Sequence, residues 1–133
     1  RLRVTDVASG AEMRAGVLAA RGPGHVFGLI GPGARFAVVE VAEPSTTLAV
    51  GTVQAFVDDL LARGGAREVD YVHGDDALES LAVAPGHVGI HLPVLSKNDL
   101  MKMVVREGPM PRKAFSMGEA DEKRFYVEAR RIR

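Results

Sequence analysis

The chain has 133 residues, of which 47% are hydrophobic, and its 17 basic and 17 acidic residues cancel. This size and apolar content suit one globular domain, whereas the zero net charge argues against a long-range attraction to DNA or to an acidic membrane face. The absence of cysteine excludes disulfides, a thiolate nucleophile and cysteine-ligated zinc, and it favours a cytoplasmic protein.

The first half of the chain predicts a helix followed by a β-hairpin. Ser9 and Glu12 have the spacing of a reciprocal helix cap, and the apolar residues after them predict a short helix that ends near Arg21. Residues 25–30 and 35–42 are rich in Val, Phe and Ile and flank a Gly-Pro-Gly-Ala turn. This arrangement predicts two antiparallel strands joined by a tight turn.

The middle of the chain predicts a helix, a strand, a short helix and a second strand. The first helix ends at Gly64 and carries an apolar stripe at helical spacing, formed by Val53, Phe56, Val57, Leu60 and Leu61. Residues 68–73 predict a buried strand, and residues 88–92 predict the next one. Asp76 and Glu79 have the spacing of a capping pair for the short helix between them.

The C-terminal part predicts a fourth helix and a terminal strand. Ser96 and Asp99 have the spacing of a cap for a helix that ends at Gly108. Apolar and polar residues alternate over residues 125–129, which favours a strand with one face in the core. A capping pair that begins at Ser116 leaves a helix open as the alternative.

These elements predict one domain over residues 1–133 with an α+β (mixed α/β) fold. We expect a mixed sheet of about five to six strands packed with four short helices. Because the chain starts at Arg1 and enters directly into what looks like the interior of a protein, we expect it to be the C-terminal domain of a longer one.

A cationic segment near the C-terminus is the candidate anion site. Guanidinium groups grip phosphate oxygens through paired hydrogen bonds, and a lysine adds a compact charge. The candidate ligands are Arg112, Lys113, Ser116, Lys123 and Arg124. As an alternative, the cations are solvated or pair with neighbouring carboxylates, and the serine only caps a helix.

A second candidate site combines carboxylates with an imidazole. Asp70, His73 and Asp75 lie within DYVHGDD and could serve a divalent cation or a general base, although their spacing matches no standard metal motif. The alternative is a strand that ends at His73, followed by a turn and an Asp-capped helix. His87 and His91 would lie about 13 Å apart on a strand, too far to share one ion. We therefore expect no metal site.

Three stretches of the chain carry a resemblance to a known family. They are MPRKAFSMGEADEKRFYVEARRI at 110–132, VDYVHGDDALESLA at 69–82 and VGIHLPVLSKNDLM at 88–101. Together they resemble the C-terminal part of the bacterial proteins of domain-of-unknown-function family 1015. The clan of that family contains ParB and sulfiredoxin-like proteins and some free-serine kinases.

The resemblance implies that a nucleotide- or phosphate-dependent site is shared with an upstream region that carries a Gly-Asp-Gly-Asn-His-Ser type motif. It implies that a nucleotide with Mg²⁺ binds the full-length protein, which would be a small-molecule kinase, and that the fragment alone is inactive and holds no cofactor. The family usually has Thr or Ser where this chain has Ala114, so a hydroxyl contact would be lost here.

A different class of function is a noncatalytic structural or interaction module. Its partners would be its own N-terminal region or a second copy, with no membrane partner. DNA partitioning ranks last, because the net charge is zero and few aromatic residues are present to stack on bases.

Overall fold

The computed structural model describes residues 1–94 and Val105. In chain order, its elements are β1 (Leu2–Val7), α1 (Gly10–Ala19), β2 (His25–Gly31), β3 (Arg35–Val41), α2 (Ala49–Ala62), α3 (Asp75–Ala82) and β4 (Gly89–His91). The predicted α+β class is confirmed. The described residues hold four strands and three helices, fewer than the five to six strands and four helices predicted for the chain. The predicted fourth helix and terminal strand lie outside these elements, as does most of the chain after residue 94.

The four strands form one sheet in the order β1-β3-β2-β4, and every neighbouring pair is antiparallel. The prediction of a mixed sheet is therefore wrong for the described residues. The connection through α1 does return the chain so that β2 runs in the same direction as β1. Because β3 inserts between them, both strands pair with an antiparallel neighbour instead of with each other.

The predicted hairpin is confirmed as β2 and β3. Gly31 pairs with Arg35, which leaves a loop of Pro32, Gly33 and Ala34. Gly33 has a φ of 71° and Ala34 a φ of 58°, so both lie in the left-handed region. Glycine adopts this conformation freely, whereas the Cβ of alanine is strained there.

We expect Ala34→Gly to stabilise the protein by about 0.5–1 kcal/mol, because relief of the left-handed strain exceeds the added freedom of the unfolded chain. Urea denaturation followed by circular dichroism measures this change. Ala55→Gly, on an exposed turn of α2, is the matched control and should destabilise by about 1 kcal/mol. Equal destabilisation by both substitutions would show that the Ala34 backbone is unstrained.

Helix α1 begins at the predicted cap. The Ser9 hydroxyl accepts a hydrogen bond from the Glu12 amide at 3.2 Å. The Glu12 carboxylate accepts one from the Ala8 amide at 2.9 Å, one residue before the cap itself. The helix ends at Ala19, and Arg21 donates to the backbone carbonyl of Leu18 just beyond. The start and end of α1 thus follow from local sequence signals.

The hydrophobic core lies between the sheet and the helices α1 and α3. Met13 and Ile30 are fully buried, and Ala82 is 3% exposed. Gly28 and Gly89 let the helices approach the sheet closely. A Cβ on Gly28 would lie 2.6 Å from the sulfur of Met13, and one on Gly89 would lie 2.6 Å from the Cβ of Ala82.

Helix α2 contacts the other face of the sheet through β2 and begins four residues before the predicted apolar stripe. Val53 from that stripe is buried, whereas Phe56 is 55% exposed. The predicted stop is confirmed, because the helix ends at Ala62 and Gly64 follows with a φ of 70°. None of the helices in the described part of the chain is long and apolar enough to cross a membrane.

The predicted strand at residues 68–73 is wrong, because this segment contains no regular structure. Val69 and Tyr71 are 39% and 43% exposed. The Asp70 carboxylate accepts a hydrogen bond from the Tyr71 amide at 2.7 Å. That local contact uses a backbone donor that a sheet ladder would need, which is how aspartate competes with strand formation.

The predicted cap of α3 is also wrong. Gly74, with a φ of 93°, precedes the helix, and no side chain caps it. Asp75 and Asp76 lie inside the first turn, where a carboxylate is stabilised by the helix dipole. Glu79 contacts Arg14 of α1 instead of returning to the helix start. The strand predicted at residues 88–92 is present but shorter, as β4.

Candidate functional site

Four polar side chains meet where α1, α3 and β4 come together: Arg14, Asp75, Glu79 and His91. Arg14 forms an ion pair with Glu79, and its Nε lies 3.7 Å from Oδ2 of Asp75. The Nε2 of His91 lies 3.1 Å from Oδ1 of Asp75. We call these four residues the Arg14 cluster.

Local sequence explains how each helix presents its part of the cluster. Arg14 follows the core residue Met13 on α1, so it lies at the margin of the buried face. Asp75 and Glu79 are four residues apart on α3 and therefore share one side of that helix. Gly10 lies one turn before Arg14, and a Cβ there would collide with the Glu79 carboxylate. The glycine thus makes room for the ion pair.

The sheet register brings His91 to the same cluster. His91 pairs with Gly28 of β2, and Gly89 pairs with Ile30. Paired residues point to the same face of a sheet, so His91 lies on the face that Ile30 gives to the core. The cluster therefore joins both covering helices to the edge strand β4.

The burial of the cluster favours a structural role over a catalytic one. The side chains of Arg14, Glu79 and His91 are 32%, 28% and 17% exposed, whereas that of Asp75 is 52% exposed. The Nδ1 of His91 is inaccessible to solvent and has no hydrogen-bond partner among the described residues. Nε2 faces the Asp75 carboxylate and Nδ1 is enclosed, so both ring nitrogens are directed into the protein. The arrangement connects α1, α3 and β4 through polar side-chain contacts.

A second buried polar group is His25 at the start of β2. Its Nδ1 lies 2.8 Å from the Thr52 hydroxyl of α2, and its Nε2 lies 3.1 Å from the Thr47 carbonyl. Because a carbonyl only accepts, Nε2 carries the hydrogen in this contact. Thr46 adds a hydroxyl contact to Thr52 at 2.9 Å. His25 thus fixes the connection between β3 and α2, and both of its nitrogens are occupied.

The residues predicted from the sequence fall differently in the structure. The five anion-site candidates lie outside the described residues: Arg112, Lys113, Ser116, Lys123 and Arg124. Asp70 contacts its own neighbour's amide, and His73 is exposed. Asp75 does meet an imidazole, but it is that of His91. Over the described ranges, no group of three or more His, Asp or Glu side chains could hold a metal ion.

The sequence analysis missed Arg14 and His91 as partners of Asp75. The i,i+4 spacing of Asp75 and Glu79 was an unused signal, since it places two carboxylates on one side of a helix. Their cationic partner, Arg14, lies on α1, far earlier in the chain, so only the packing of α1 against α3 brings it close.

An open groove of about 410 Å³ lies at the start of β1 and the end of β3. It is lined by Arg1, Leu2, Arg3, Glu40 and Ala42. Arg3 and Glu40 form an exposed ion pair within it at 3.6 Å. The groove therefore combines two guanidinium groups, one carboxylate and an apolar side chain at the outer edge of the sheet. We call it the edge groove.

No family model, curated protein or solved structure matches this chain.

Proposed function

We propose that this domain is a C-terminal module of a protein of the ParB and sulfiredoxin-like lineage. In this proposal it contributes anion-binding side chains to a nucleotide-dependent, kinase-like site that an N-terminal region completes. The nucleotide binds with Mg²⁺ in the whole protein, and the isolated domain is inactive. The cationic residues of the C-terminal segment hold the phosphate oxygens.

The mutual pairing of the Arg14 cluster is the observation that carries the modular part of this proposal. Arg14, Asp75 and Glu79 are engaged with one another and with His91, and they link three elements of the fold. Charges paired in this way connect elements of the domain, and removing one partner would leave the other charge uncompensated. The cations that the proposal assigns to the phosphate are those that the sequence concentrates after Pro111.

The double variant Arg112→Ala, Lys113→Ala tests the anion-binding part in the protein extended to include the chain preceding Arg1. We expect Mg²⁺-ATP to raise the Tm of the unmodified protein and to have a smaller effect on the variant. The reason is that charge-assisted contacts to phosphate contribute about 1.5–3 kcal/mol each. Differential scanning fluorimetry across a nucleotide titration measures the difference.

The matched control is Arg130→Ala, Arg131→Ala, which removes two other cations from the same end of the chain. It should keep the nucleotide response of the unmodified protein. An equal response in all three proteins would reject the role assigned to Arg112 and Lys113.

The second candidate function is a noncatalytic interaction module, which the exposed edge strand β1 favours. Leu2 and Val4 of this strand are 64% and 53% exposed. Exposed apolar side chains that lie next to each other favour a surface that a partner covers. This candidate predicts no nucleotide effect on Tm in any of the three proteins.

A further inference from the structure

β1 lies at one end of the described sheet, next to β3 alone. Within the described residues, β1 pairs with β3 on one side and with no strand on the other. The Ala42 amide donates to the Arg1 carbonyl at 3.0 Å. Because backbone groups alternate in direction along an antiparallel strand, those of Leu2, Val4 and Asp6 point away from β3. Three amides and three carbonyls are thus presented to an added strand.

The side chains of β1 form an apolar strip flanked by charge. Leu2 and Val4 pair with Val41 and Val39 of β3, so these four side chains share one face of the sheet. The Arg3 side chain points to the opposite face and is 76% exposed, beside the edge groove. β1 contains no Pro or bulge, two of the devices that protect an edge from pairing, and it carries the charged side chains of Arg3 and Asp6.

Strand β3, the neighbour of β1 in the sheet, shows which residue types pair with the side chains of β1. Opposite Arg3, strand β3 places Glu40, and the two side chains form an ion pair at 3.6 Å. Opposite Leu2 and Val4 it places valines. A strand added on the outer side of β1 would lie beside the same side chains. It would therefore be favoured by the residue types that β3 already places there, an acidic residue opposite Arg3 and apolar residues opposite Leu2 and Val4. It adds a carboxylate for the guanidinium groups of Arg1 and Arg3, which the single carboxylate of the edge groove does not balance.

We propose that the free edge of β1 binds an extended segment of a partner protein by β-strand addition. Written from its N-terminus, the segment has the order basic, Thr, apolar, acidic, apolar. The last three positions repeat the complement that β3 offers, whereas the first two are the cross-strand partners that an aspartate and a threonine favour. These residues lie opposite Asp6, Thr5, Val4, Arg3 and Leu2 of an antiparallel β1. Backbone hydrogen bonds supply affinity, and the cross-strand pairs supply specificity. This proposal does not depend on the nucleotide site.

The probe is a fluorescein-labelled peptide Lys-Thr-Val-Glu-Val, titrated with the 133-residue chain and followed by fluorescence anisotropy. The control peptide exchanges the two charges and reads Glu-Thr-Val-Lys-Val. We expect the first peptide to bind about threefold more tightly or better, because each matched cross-strand charge pair replaces a repulsive one. Arg3→Glu should reduce or reverse this preference.

Val4→Pro removes an outward amide and should abolish binding, while the hydrogen bonds between β1 and β3 remain. Leu18→Ser is the matched control, since Leu18 is 77% exposed on α1 and should leave binding unchanged. Circular dichroism of each variant establishes that it is folded. The Arg3→Glu result tests the proposal independently if the proline variant fails to fold.

Two results would overturn the proposal. One is the absence of saturable binding at millimolar concentrations of the chain, or equal binding of the two peptides. The other is self-association of the unliganded chain in analytical ultracentrifugation that Val4→Pro abolishes, which would make a second copy the occupant of this edge.

Discussion

Ile30→Ala is expected to lower the free energy of unfolding by about 2–5 kcal/mol, the range for truncating a buried large aliphatic residue. Ile30 is fully buried on β2 and belongs to the core cluster with Met13 of α1 and Ala82 of α3. Removal of its side chain leaves a cavity that three packed elements border. Because Gly28 and Gly89 already bring the helices close to the sheet, the helices have little room to move inward and fill it.

Urea denaturation followed by circular dichroism measures this loss. Leu18→Ala is the control, because Leu18 is 77% exposed on α1 and its truncation should change stability by less than about 0.5 kcal/mol. If the two substitutions cost the same, the core does not lie where α1, α3 and the sheet meet.

Arg14→Ala is expected to destabilise by about 2–3 kcal/mol, because it leaves the carboxylates of Asp75 and Glu79 without their guanidinium partner. The value lies below that for a fully buried pair, since the Arg14 and Glu79 side chains are 32% and 28% exposed. Glu79→Ala should destabilise the protein less, because Arg14 still has the Asp75 carboxylate as an ion-pair partner. A double-mutant cycle on Arg14 and Glu79 should return a coupling free energy of about 1 kcal/mol or more.

The apolar double variant Arg14→Met, Glu79→Leu separates a structural role from a chemical one. A well-packed apolar replacement of an ion pair is often neutral or stabilising, so we expect it to recover most of the stability lost in Arg14→Ala. The exposed pair of Arg3 and Glu40 is the control for the cycle and should couple by less than about 1 kcal/mol. A coupling free energy near zero for Arg14 and Glu79 would contradict the structural role of the Arg14 cluster.

Two elements, the start of α1 and the hairpin of β2 and β3, were predicted well from local sequence signals. The Ser9 cap and the hairpin turn before Arg35 involve contacts between residues a few positions apart, so the residue types themselves specify the geometry. The α+β class followed from these elements. The order of the strands did not, because the insertion of β3 between β1 and β2 depends on packing between distant segments.

Two strand errors have separate physical causes. β1 was not predicted because its apolar residues do not keep to alternate positions. Leu2 and Val4 share one face of the sheet, whereas Val7 lies on the other. The segment at residues 68–73 has the composition of a strand but lies against no strand in the described sheet. Its Asp70 side chain binds the backbone locally instead.

The candidate site shows the same limit. Asp75 was identified as a carboxylate near an imidazole in the DYVHGDD segment, and it does meet an imidazole. The partner is His91 rather than His73, because β4 places His91 on the face of the sheet that α1 and α3 cover. The role of Arg14 required the packing of α1 against α3. Predictions for Arg112 and Lys113 concern residues outside the described ranges and stay predictions.

Calorimetric titration of Mg²⁺-ATP into the 133-residue chain, and into a protein that also carries the proposed N-terminal region, tests the proposed module most directly. The account predicts no measurable heat of binding for the 133-residue chain and saturable binding for the extended protein. Equal binding by both proteins would show that the domain carries a complete site. Binding by neither protein would contradict the proposed nucleotide-dependent site.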